Sequence, residues 1–380
     1  MAAFPPPPVT TIDWTNMKSS KVYEVKGHIE STYSKSTGQW TPLEFVSSPY
    51  MRIHGMAPAL NYGQQILEGL KAFRMPGKPG GIALFRADRN AARFQHSAKI
   101  LSMPLVPVDM FLQACHTAVA LNACYVPPHE SDWALYIRPQ LYGSSAHLGL
   151  SAPDEYKFCV FVVPTGVHVG SRPIKALILD DFDRAAPKGT GHAKVGGNYA
   201  PVMRWSNQAS IEGFGITLHL DSARHEEIDE FSTCAFIGVK YSGTDEDDIT
   251  LVVPDSQCVI DSVTSDSVQH IARSYGWKVE KRPLLYAELP ALSEVLGAGT
   301  AVALVPIQSI TRRTPGLLPP SPRLQVDASS ETVIYLPQEQ NTGGPVYTKL
   351  AGHLRAIQRG NARDEFGWRS EVRAANIDIR

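Results

Sequence analysis

Apolar residues recur every three or four positions over residues 88–101 and 110–124, the spacing that lets a helix bury one face. Two runs rich in apolar and β-branched residues follow at 133–141 and 157–163, and they predict buried strands. Residues 21–48 alternate loosely and carry aromatic side chains, which indicates short strands and turns. The first half of the chain therefore predicts a mixed α+β structure.

The second half also mixes both element types. Strands are expected at short apolar runs, residues 174–180, 215–220, 231–239, 249–253 and 302–307. Helices are expected where apolar residues return every three or four positions, at residues 199–211, 263–275, 289–296 and 347–359. Pro, Gly and Ser are concentrated at residues 164–173, which favours a linker there. Because 380 residues exceed the usual size of one core, we predict a small N-terminal domain (1–165), a linker (166–173) and a large C-terminal domain (174–380).

Composition argues against several classes of function. The chain has 36 basic and 37 acidic residues, so no basic excess points to a nucleic-acid partner. Its 5 cysteines are scattered without a Cys-x-x-Cys pair and its 12 histidines are dispersed, which argues against disulfides and a metal site. No apolar run has the length of a membrane span, and the proline-rich N-terminus lacks the pattern of a targeting signal. A cytoplasmic protein without a membrane partner is therefore expected.

One lysine stands out in a glycine-rich stretch. Lys194 lies in the run Gly-Thr-Gly-His-Ala-Lys-Val-Gly-Gly-Asn-Tyr, residues 189–199, and a predicted helix follows. A lysine that acts as a Schiff-base nucleophile must lose its proton near neutral pH, which needs a partly desolvated site. Glycines allow the backbone to approach a cofactor closely. Taken alone, such a lysine is more often solvent-facing, so its interpretation depends on the rest of the chain.

Other motifs for glycine loops and nucleophiles do not match. The Walker pattern is absent, and the glycines at 297–299 precede a predicted strand instead of following one. The stretch at 225–229 lacks the second histidine of the zinc motif His-Glu-x-x-His, and no Gly-x-Ser-x-Gly elbow occurs. The sequence therefore gives no support to nucleotide binding, metal-dependent hydrolysis or serine hydrolysis.

Pyridoxal phosphate (PLP) fits the available residues better. This cofactor needs a lysine for its aldehyde, an acid facing its pyridine nitrogen and donors around its phosphate. Glu230 begins an apolar strand, where an unpaired carboxylate would be costly to bury. Val263-Thr264 opens a predicted helix, and a helix N-terminus offers free amides to a phosphate, to which Gly299-Thr300 could add a hydroxyl.

In chain order these residues belong to a longer series of motifs, namely residues 59–63, 67–74, Arg93, 135–139, 189–199, Glu230, Thr233, Val263-Thr264, 299–301 and 357–360. The series resembles that of the class IV branched-chain aminotransferases, over nearly the whole chain. The resemblance implies a two-domain PLP fold type IV (D-amino-acid-aminotransferase-like), with a smaller N-terminal α/β domain and a larger C-terminal domain of helices and a barrel-like sheet. It implies PLP-dependent transfer of an amino group between a branched-chain or bulky hydrophobic L-amino acid and 2-oxoglutarate.

The resemblance also implies residue roles. Lys194 would hold the cofactor aldehyde and move the substrate Cα proton as general base and acid. Glu230 would keep the ring nitrogen protonated, and Tyr199 would hydrogen-bond the phenolic oxygen. The remaining cofactor contacts would come from Arg93, Thr233, Val263, Thr264 and Thr300. The substrate side would be lined by Tyr62, Leu67, Tyr136, Arg138, His168 and Ala301. In this family a loop matching Leu148 and Leu150 reaches the neighbouring subunit's site, which implies a homodimer.

The chain departs from its family beside the substrate and the phosphate. Leu67 and His168 stand where aromatic residues are usual, which predicts activity on substrates bulkier than leucine. Ala235, Asp261-Ser262 and Ser265 replace the usual asparagine, Pro-Gly and arginine, which predicts modest cofactor affinity. Three interpretations stay open: an L-branched-chain transaminase, a D-amino-acid or (R)-selective amine transaminase of the same fold, and a catalytically degraded homologue acting as a binding or accessory protein.

Overall fold

The computed structural model of the chain describes residues 4–18, 21–77, 80–166, 172–241 and 248–375. The chain divides into two compact units. Unit 1 comprises Met1–Val167, Ala193–Gly196 and Ala356–Arg380, and unit 2 comprises His168–His192 and Gly197–Arg355. Unit 1 therefore includes the short segment that carries Lys194. The predicted domain limits remain a prediction.

Unit 1 is built on one antiparallel sheet. Its described strands are β1 (His28–Ser34), β2 (Gln39–Trp40), β3 (Glu44–Val46), β4 (Gln65–Leu67), β5 (Leu70–Arg74), β6 (Ile82–Phe85), β7 (Trp133–Gly143), β8 (Glu155–Gly166) and β19 (Arg369–Glu371). They are ordered β19-β6-β5-β7-β8-β1-β2, with β3 beside β1 and β4 beside β7. The long β7–β8 pair runs in register from Trp133 opposite Gly166 to Gly143 opposite Tyr156.

Helices cover one face of this sheet. They are α1 (Pro58–Tyr62), α2 (Ala87–Ile100) and α3 (Val108–Leu121). Ala87, Ala91, Phe94 and Ala98 recur every three or four residues and form the buried stripe of α2. The Phe94 ring lies 5.2 Å from that of Phe111 on α3. The helices predicted at 88–101 and 110–124, and the strands predicted at 133–141 and 157–163, are thus confirmed with small shifts at their ends.

Unit 2 contains a second, mixed sheet. Its described strands are β9 (Ile174–Ile178), β10 (Ile216–Leu220), β11 (Ile228–Phe231), β12 (Ala235–Tyr241), β13 (Ile249–Pro254), β14 (Lys278–Arg282), β15 (Glu294–Gly299), β16 (Ala303–Arg312), β17 (Leu324–Val326) and β18 (Glu331–Ile334). They are ordered β11-β10-β9-β16-β15-β12-β13-β14, and β18 joins β16 to β17. Its helices are α4 (Met203–Ile211), α5 (Val263–Ser274) and α6 (Pro345–Gln358), whose last three residues count with unit 1.

Two predicted elements of unit 2 differ from the structure. The helix predicted at 289–296 is wrong, because a 3-10 turn, Tyr286–Ala291, contains Pro290 and is followed by β15. Proline cannot donate the backbone hydrogen bond that continues a helix. The single strand predicted at 231–239 is two strands, β11 and β12, separated by a turn at residues 232–234. The other strands, and the helices at 263–275 and 347–359, agree with the structure to within a few residues at most ends.

The turn between β11 and β12 is tightly packed. A side chain on Gly297 would lie 2.7 Å from Cys234 Sγ, and one on Gly299 would lie 3.0 Å from Cys234 Cβ. These two glycines of β15 therefore let the β11–β12 turn lie against the end of β15. None of the helices in the described ranges is long and apolar enough to cross a membrane.

Candidate active site

The backbone of Lys194 is fixed on both sides. Its amide donates to Ser97 Oγ on α2 at 2.9 Å, and its carbonyl accepts from Leu67 N at the end of β4 at 3.1 Å. The neighbours Ala193 and Val195 are buried, and Val195 pairs with Ile66. Lys194 therefore lies at a set position on unit 1, instead of on a loop open to solvent.

A buried ion pair lies in the same part of unit 1. Glu68, which follows β4, is fully buried, and its carboxylate oxygens lie 2.6 Å from Arg93 Nε and 2.8 Å from Arg93 Nη2. Asn90 Nδ2 donates to Glu68 Oε2 at 2.7 Å. Burial would raise the pKa of Glu68, but Arg93, and further off Lys194, hold it below its ordinary value. Glu68 therefore stays ionised and fixes the direction of the Arg93 guanidinium.

Tyr136 and Arg138 alternate along β7 and point to the face of the sheet opposite α2 and α3. Arg138 Nη2 donates to Tyr136 Oη at 3.1 Å, and the guanidinium lies 4.9 Å from the Tyr136 ring centre. A side chain on Gly69 would lie 1.9 Å from Tyr136 Oη, so only glycine fits there. Lys71 on β5 lies opposite Tyr136, and burial lowers its pKa to about 7. This face therefore carries a guanidinium beside a tyrosine hydroxyl, and the neighbouring strand adds a buried amine that is only partly protonated near pH 7.

Tyr62, Leu148 and Leu150 form an exposed apolar group on unit 1. Their exposed fractions are 43%, 74% and 89%. The Tyr62 hydroxyl donates to the Leu148 carbonyl, and Tyr62 and Leu150 both line an open cavity of about 330 Å³. Apolar side chains this exposed in one place are typical of an interaction surface.

Glu230 lies in unit 2 on β11, where its side chain is only 6% exposed. Arg184 Nη2 lies 2.6 Å from Glu230 Oε1, and the amide of Ile260 donates to the same oxygen at 3.2 Å. The carboxylate is thus buried with a cationic partner, which favours its ionised form. An ionised, buried carboxylate is suited to hold a protonated ring nitrogen.

The segment that leads into α5 contacts this carboxylate through the amide of Ile260, and Ser262 and Ser265 line the same cavity as Glu230. Ser262 caps α5 by accepting from Ser265 N at 3.2 Å, and its hydroxyl donates to the Ala298 carbonyl on β15. Because the first amides of a helix have no partner inside it, those of Val263 and Thr264 point out of the helix. Asp261 is exposed. The start of α5 therefore leaves two amides free of helical partners, and its role as a phosphate-binding site remains a prediction.

The remaining predicted residues are placed as follows. Thr300 and Ala301 form the turn between β15 and β16, and Thr233 lies in the β11–β12 turn that packs on Gly299. Tyr199 is half-buried directly before the 3-10 turn Ala200–Val202. His168 lies outside the described residues. The structure thus places Leu67, Arg93, Tyr136, Arg138 and Lys194 in unit 1, where Leu67 and Lys194 are in contact, and it places Tyr199, Glu230, Thr233, Val263, Thr264, Thr300 and Ala301 in unit 2.

Three residues at these positions were missed by the sequence interpretation. Glu68 orients Arg93, Ser97 holds Lys194, and Arg184 pairs with Glu230. Asn90, Arg93 and Ser97 lie three and four residues apart on α2, a spacing that places them on one helix face. That spacing was available in the sequence, whereas nothing near Arg184 pointed to Glu230.

The donor set was tested against the needs of PLP. A lysine with buried neighbours, a buried carboxylate with a cationic partner, a capped helix N-terminus and a fixed guanidinium are all present. These are the groups that an aldehyde, a pyridine nitrogen and a phosphate require. In the described part of the chain, no cluster of three or more His, Cys, Asp or Glu side chains could hold a metal ion. The residues fit PLP.

Comparison with known proteins agrees with this chemistry. The family model described as amino-transferase class IV matches residues 65–310. Aminotransferase poxL of Penicillium oxalicum is 48% identical over 96% of this chain and 94% of its own length. Transaminase htyB of Aspergillus rugulosus is 46% identical over 97% and 95%, and the branched-chain amino acid aminotransferase gloG of Glarea lozoyensis is 45% identical over 96% and 97%. The chain belongs to the class IV aminotransferase family.

Solved structures show the same fold at low sequence identity. The Escherichia coli branched-chain amino acid aminotransferase has a TM-score of 0.71 and 22% identity, over 92% of this chain and 100% of that one. The corresponding enzyme of Thermobaculum terrenum in its PLP form has a TM-score of 0.70 and 18% identity, over 92% and 99%. The predicted fold class, α+β of PLP fold type IV, is therefore confirmed, and the family match confirms the prediction of an aminotransferase at the level of class IV.

Proposed function

We propose that the protein is a PLP-dependent transaminase that moves an amino group between a branched-chain or bulky hydrophobic L-amino acid and 2-oxoglutarate. The observation that carries the proposal is the fixed position of Lys194, whose backbone is held by Ser97 and Leu67. A lysine that reacts in every turnover needs such preorganisation. The relative named a branched-chain amino acid aminotransferase, and neighbours solved with PLP or pyridoxamine 5'-phosphate, support the substrate class and the cofactor.

Lys194 and Glu230 would carry the chemistry. When bound, PLP supplies an electron-withdrawing ring that stabilises negative charge at the substrate Cα. Lys194 Nζ would hold the cofactor and, once displaced by the substrate amine, would take the proton from the substrate Cα and deliver it to the C4′ carbon of the cofactor. The Glu230 carboxylate would accept a hydrogen bond from the ring nitrogen and keep it protonated. Tyr199 would donate to the phenolic oxygen.

The phosphate would be bound from several directions. Arg93, oriented by Glu68, would supply a charge-assisted contact. The amides of Val263 and Thr264 at the start of α5 and the hydroxyl of Thr300 would complete it. Because Ser262 caps α5 and Asp261 is exposed, the acidic residue before the helix need not face the phosphate. Modest cofactor affinity remains our prediction.

Substrate selection would depend on the Tyr136–Arg138 pair and on Leu67. A guanidinium beside a hydroxyl suits the second carboxylate of 2-oxoglutarate, whereas Leu67, Thr233 and Ala301 would contact the remaining part of the substrate. With Leu67 in place of an aromatic side chain, we expect room for donors larger than leucine. His168 is predicted to belong to the same wall.

A homodimer is part of the proposal. Tyr62 was predicted beside the substrate, and its bond to Leu148 groups it with the loop predicted to reach the neighbouring subunit. The exposure of Leu148 and Leu150 is consistent with side chains that are covered only in a dimer. We propose that all three complete the neighbouring subunit's substrate site. A cytoplasmic location remains a prediction.

Product chirality tests the proposed function. Purified protein loaded with PLP is given a panel of amino donors, including D-amino acids and (R)-amines, with 2-oxoglutarate as acceptor. We expect L-glutamate from branched-chain and bulkier L-donors. Formation of D-glutamate, or turnover of (R)-amines alone, would instead assign the chain to the D-amino-acid or (R)-amine group.

A further inference from the structure

Arg184 connects three separate segments of unit 2. Its guanidinium lies 2.6 Å from Glu230 Oε1 on β11 and donates to the Cys258 carbonyl at 2.5 Å. Both terminal nitrogens also lie 3.3 Å from the Gly191 carbonyl in the glycine-rich stretch before Lys194. One side chain therefore ties the predicted nitrogen-binding carboxylate to the segment before α5 and to the glycine-rich stretch.

The residues around these contacts are closely packed. A side chain on Gly191 would lie 2.2 Å from Ala185 Cβ and 2.7 Å from the Cys258 carbonyl. The Arg184 side chain is only 4% exposed, and its Nε has no hydrogen-bond partner among the described residues. Burying a charged group with one unsatisfied donor is costly, and apolar residues of similar volume would often be at least as stable. Stability alone therefore does not explain an arginine here.

Arg184 is a cation in direct contact with Glu230. Other titratable groups around the pair are Asp229, Asp261, Lys281, His219, Cys234 and Cys258. Burial and the Arg184 charge lower the pKa of His219 to about 3, and burial with the Glu230 charge raises the pKa of Cys234 to about 12, so both are neutral near pH 7. Burial raises the pKa of Asp229 and of the Cys258 thiol. Lys281 is exposed and pairs with Asp255 at 3.6 Å.

We propose that Arg184 is a positioning residue for transamination: it keeps Glu230 ionised and directed at the cofactor's ring nitrogen, and it holds the glycine-rich stretch before Lys194 in register with that carboxylate. The inference rests on the proposed function, since it assigns Glu230 to the ring nitrogen. Removing the cation makes Glu230 easier to protonate. A protonated Glu230 no longer stabilises the protonated ring, so proton removal from the substrate Cα slows.

The kinetic test compares Arg184→Gln with Arg184→Lys. In Arg184→Gln we expect kcat to fall roughly 10–100-fold, as when other residues that orient a reacting group are removed, and the acidic limb of the kcat profile to move to higher pH. Arg184→Lys keeps the charge but not the planar fork, so it should restore the acidic limb while kcat stays below that of the wild type. The inference would be overturned if the acidic limb of the kcat profile of Arg184→Gln stays at the wild-type pH, or if it moves by the same amount in both variants.

A second test needs no cofactor. Thermal unfolding of the cofactor-free protein is measured for Arg184→Gln, Glu230→Gln and the double variant. We expect the double variant to melt at a higher temperature than Arg184→Gln, because it does not leave a carboxylate buried without its cation. If the melting temperature of the double variant falls by the sum of the decreases in the two single variants, the pairing of Arg184 with Glu230 is contradicted. If Arg184→Gln does not fold, the test depends on Arg184→Lys. A kcat equal to that of the wild type in Arg184→Lys would then refute the positioning role of Arg184.

These outcomes separate the inference from the proposed function. If wild-type protein transaminates no donor, the proposed function fails. If the wild type is active but Arg184→Gln retains its kcat and pH profile, only the role of Arg184 fails.

Discussion

The carboxylate of Glu68 and the guanidinium of Arg93 face each other in a two-point ion pair, with Arg93 Nε 2.6 Å from Oε1 and Nη2 2.8 Å from Oε2. The Arg93 side chain is 9% exposed and that of Glu68 is 0% exposed. Asn90 and the amide of Gly69 add two further donors to Oε2. A residue predicted from sequence only as a cofactor contact is therefore anchored by groups of the protein itself.

Replacing Glu68 with Gln should destabilise the protein, because a buried guanidinium loses its charged partner. We expect the free energy of unfolding at pH 7 to fall by about 3–5 kcal/mol, as for other broken buried ion pairs. Since the pKa of Glu68 is held below its ordinary value of 4.5, its stabilising contribution is present above that pH and is lost as the pH falls further. The difference between wild type and variant, measured by urea unfolding, should therefore shrink on acidification.

Glu212→Gln is the matched control for this prediction. Glu212 pairs with Arg313 at the surface, where both side chains are largely solvated, and exposed pairs contribute little. We expect its unfolding curve to overlay that of the wild type. Equal losses in the two variants would contradict the importance assigned to the buried pair.

Lys71 makes stability depend on pH in the opposite sense. Burial lowers its pKa in the folded protein to about 7, from an ordinary value of 10.5. Folding therefore opposes the charged form, and the resulting destabilisation is complete below pH 7 and disappears as the pH rises towards 10.5. Lys71→Met should be more stable than the wild type at pH 6, by an amount on the order of 2–5 kcal/mol at about 1.4 kcal/mol per pKa unit.

The advantage of Lys71→Met should decrease between pH 7 and pH 10 in urea unfolding. Lys99→Met, at an exposed position on α2, is the control and should track the wild type at each pH. A Lys71→Met advantage that stays constant across this range would show that the Lys71 amine is not the titrating group.

Leu67 is predicted to set the size of the substrate pocket. Leu67→Phe restores the aromatic residue that is usual in the family, so kcat/KM for bulky donors should fall relative to that for leucine. Phe fills space equal to several methylene groups, and the loss of even one such space changes the ratio of kcat/KM values by roughly 10-fold or more. The ratio is measured with leucine and an aromatic donor under identical conditions. If it does not change, the Leu67 side chain does not limit the pocket.

Leu150 should contribute to both assembly and activity. Leu150→Asp places a charge where we expect a neighbouring subunit, so the variant should elute as a monomer in size-exclusion chromatography with light scattering, and its kcat should drop. Ile211→Asp on α4 is a control of similar exposure, 81% against 89%, and should leave both unchanged. A Leu150→Asp protein with wild-type mass and activity would remove this residue from the proposed dimer contact.

Much of the fold could be predicted from local spacing. Helix α2 has a clean three-and-four repeat, and β7 and β8 are rich in apolar and β-branched residues, so their existence and type were predicted correctly. Residues 289–296 failed because a short apolar run around Pro290 looks the same whether it forms a helix or a turn and a strand. Strand β15 pairs with β16, which follows it directly, and with β12, which lies far away in sequence, so local spacing alone does not reveal the second pairing.

The candidate site divides in the same way. Lys194, Glu230 and the start of α5 could be proposed as site residues from motifs. Arg184 could not, because its role comes from three contacts formed only when distant segments meet. Ser97 is an intermediate case: its spacing places it on the same face of α2 as Arg93, but nothing in the sequence shows that its hydroxyl accepts a hydrogen bond from the amide of Lys194.

The central claim is that Lys194 is the residue that holds PLP, and it can be tested by covalent trapping. Purified protein is incubated with PLP, reduced with borohydride, digested and analysed by peptide mass spectrometry, alongside Lys194→Ala. We predict a phosphopyridoxyl group on Lys194 in the wild type, a visible absorbance band before reduction, and neither in Lys194→Ala. Absence of the label in the wild type, or its presence on another lysine such as the buried Lys71, would contradict the account and favour a catalytically degraded homologue.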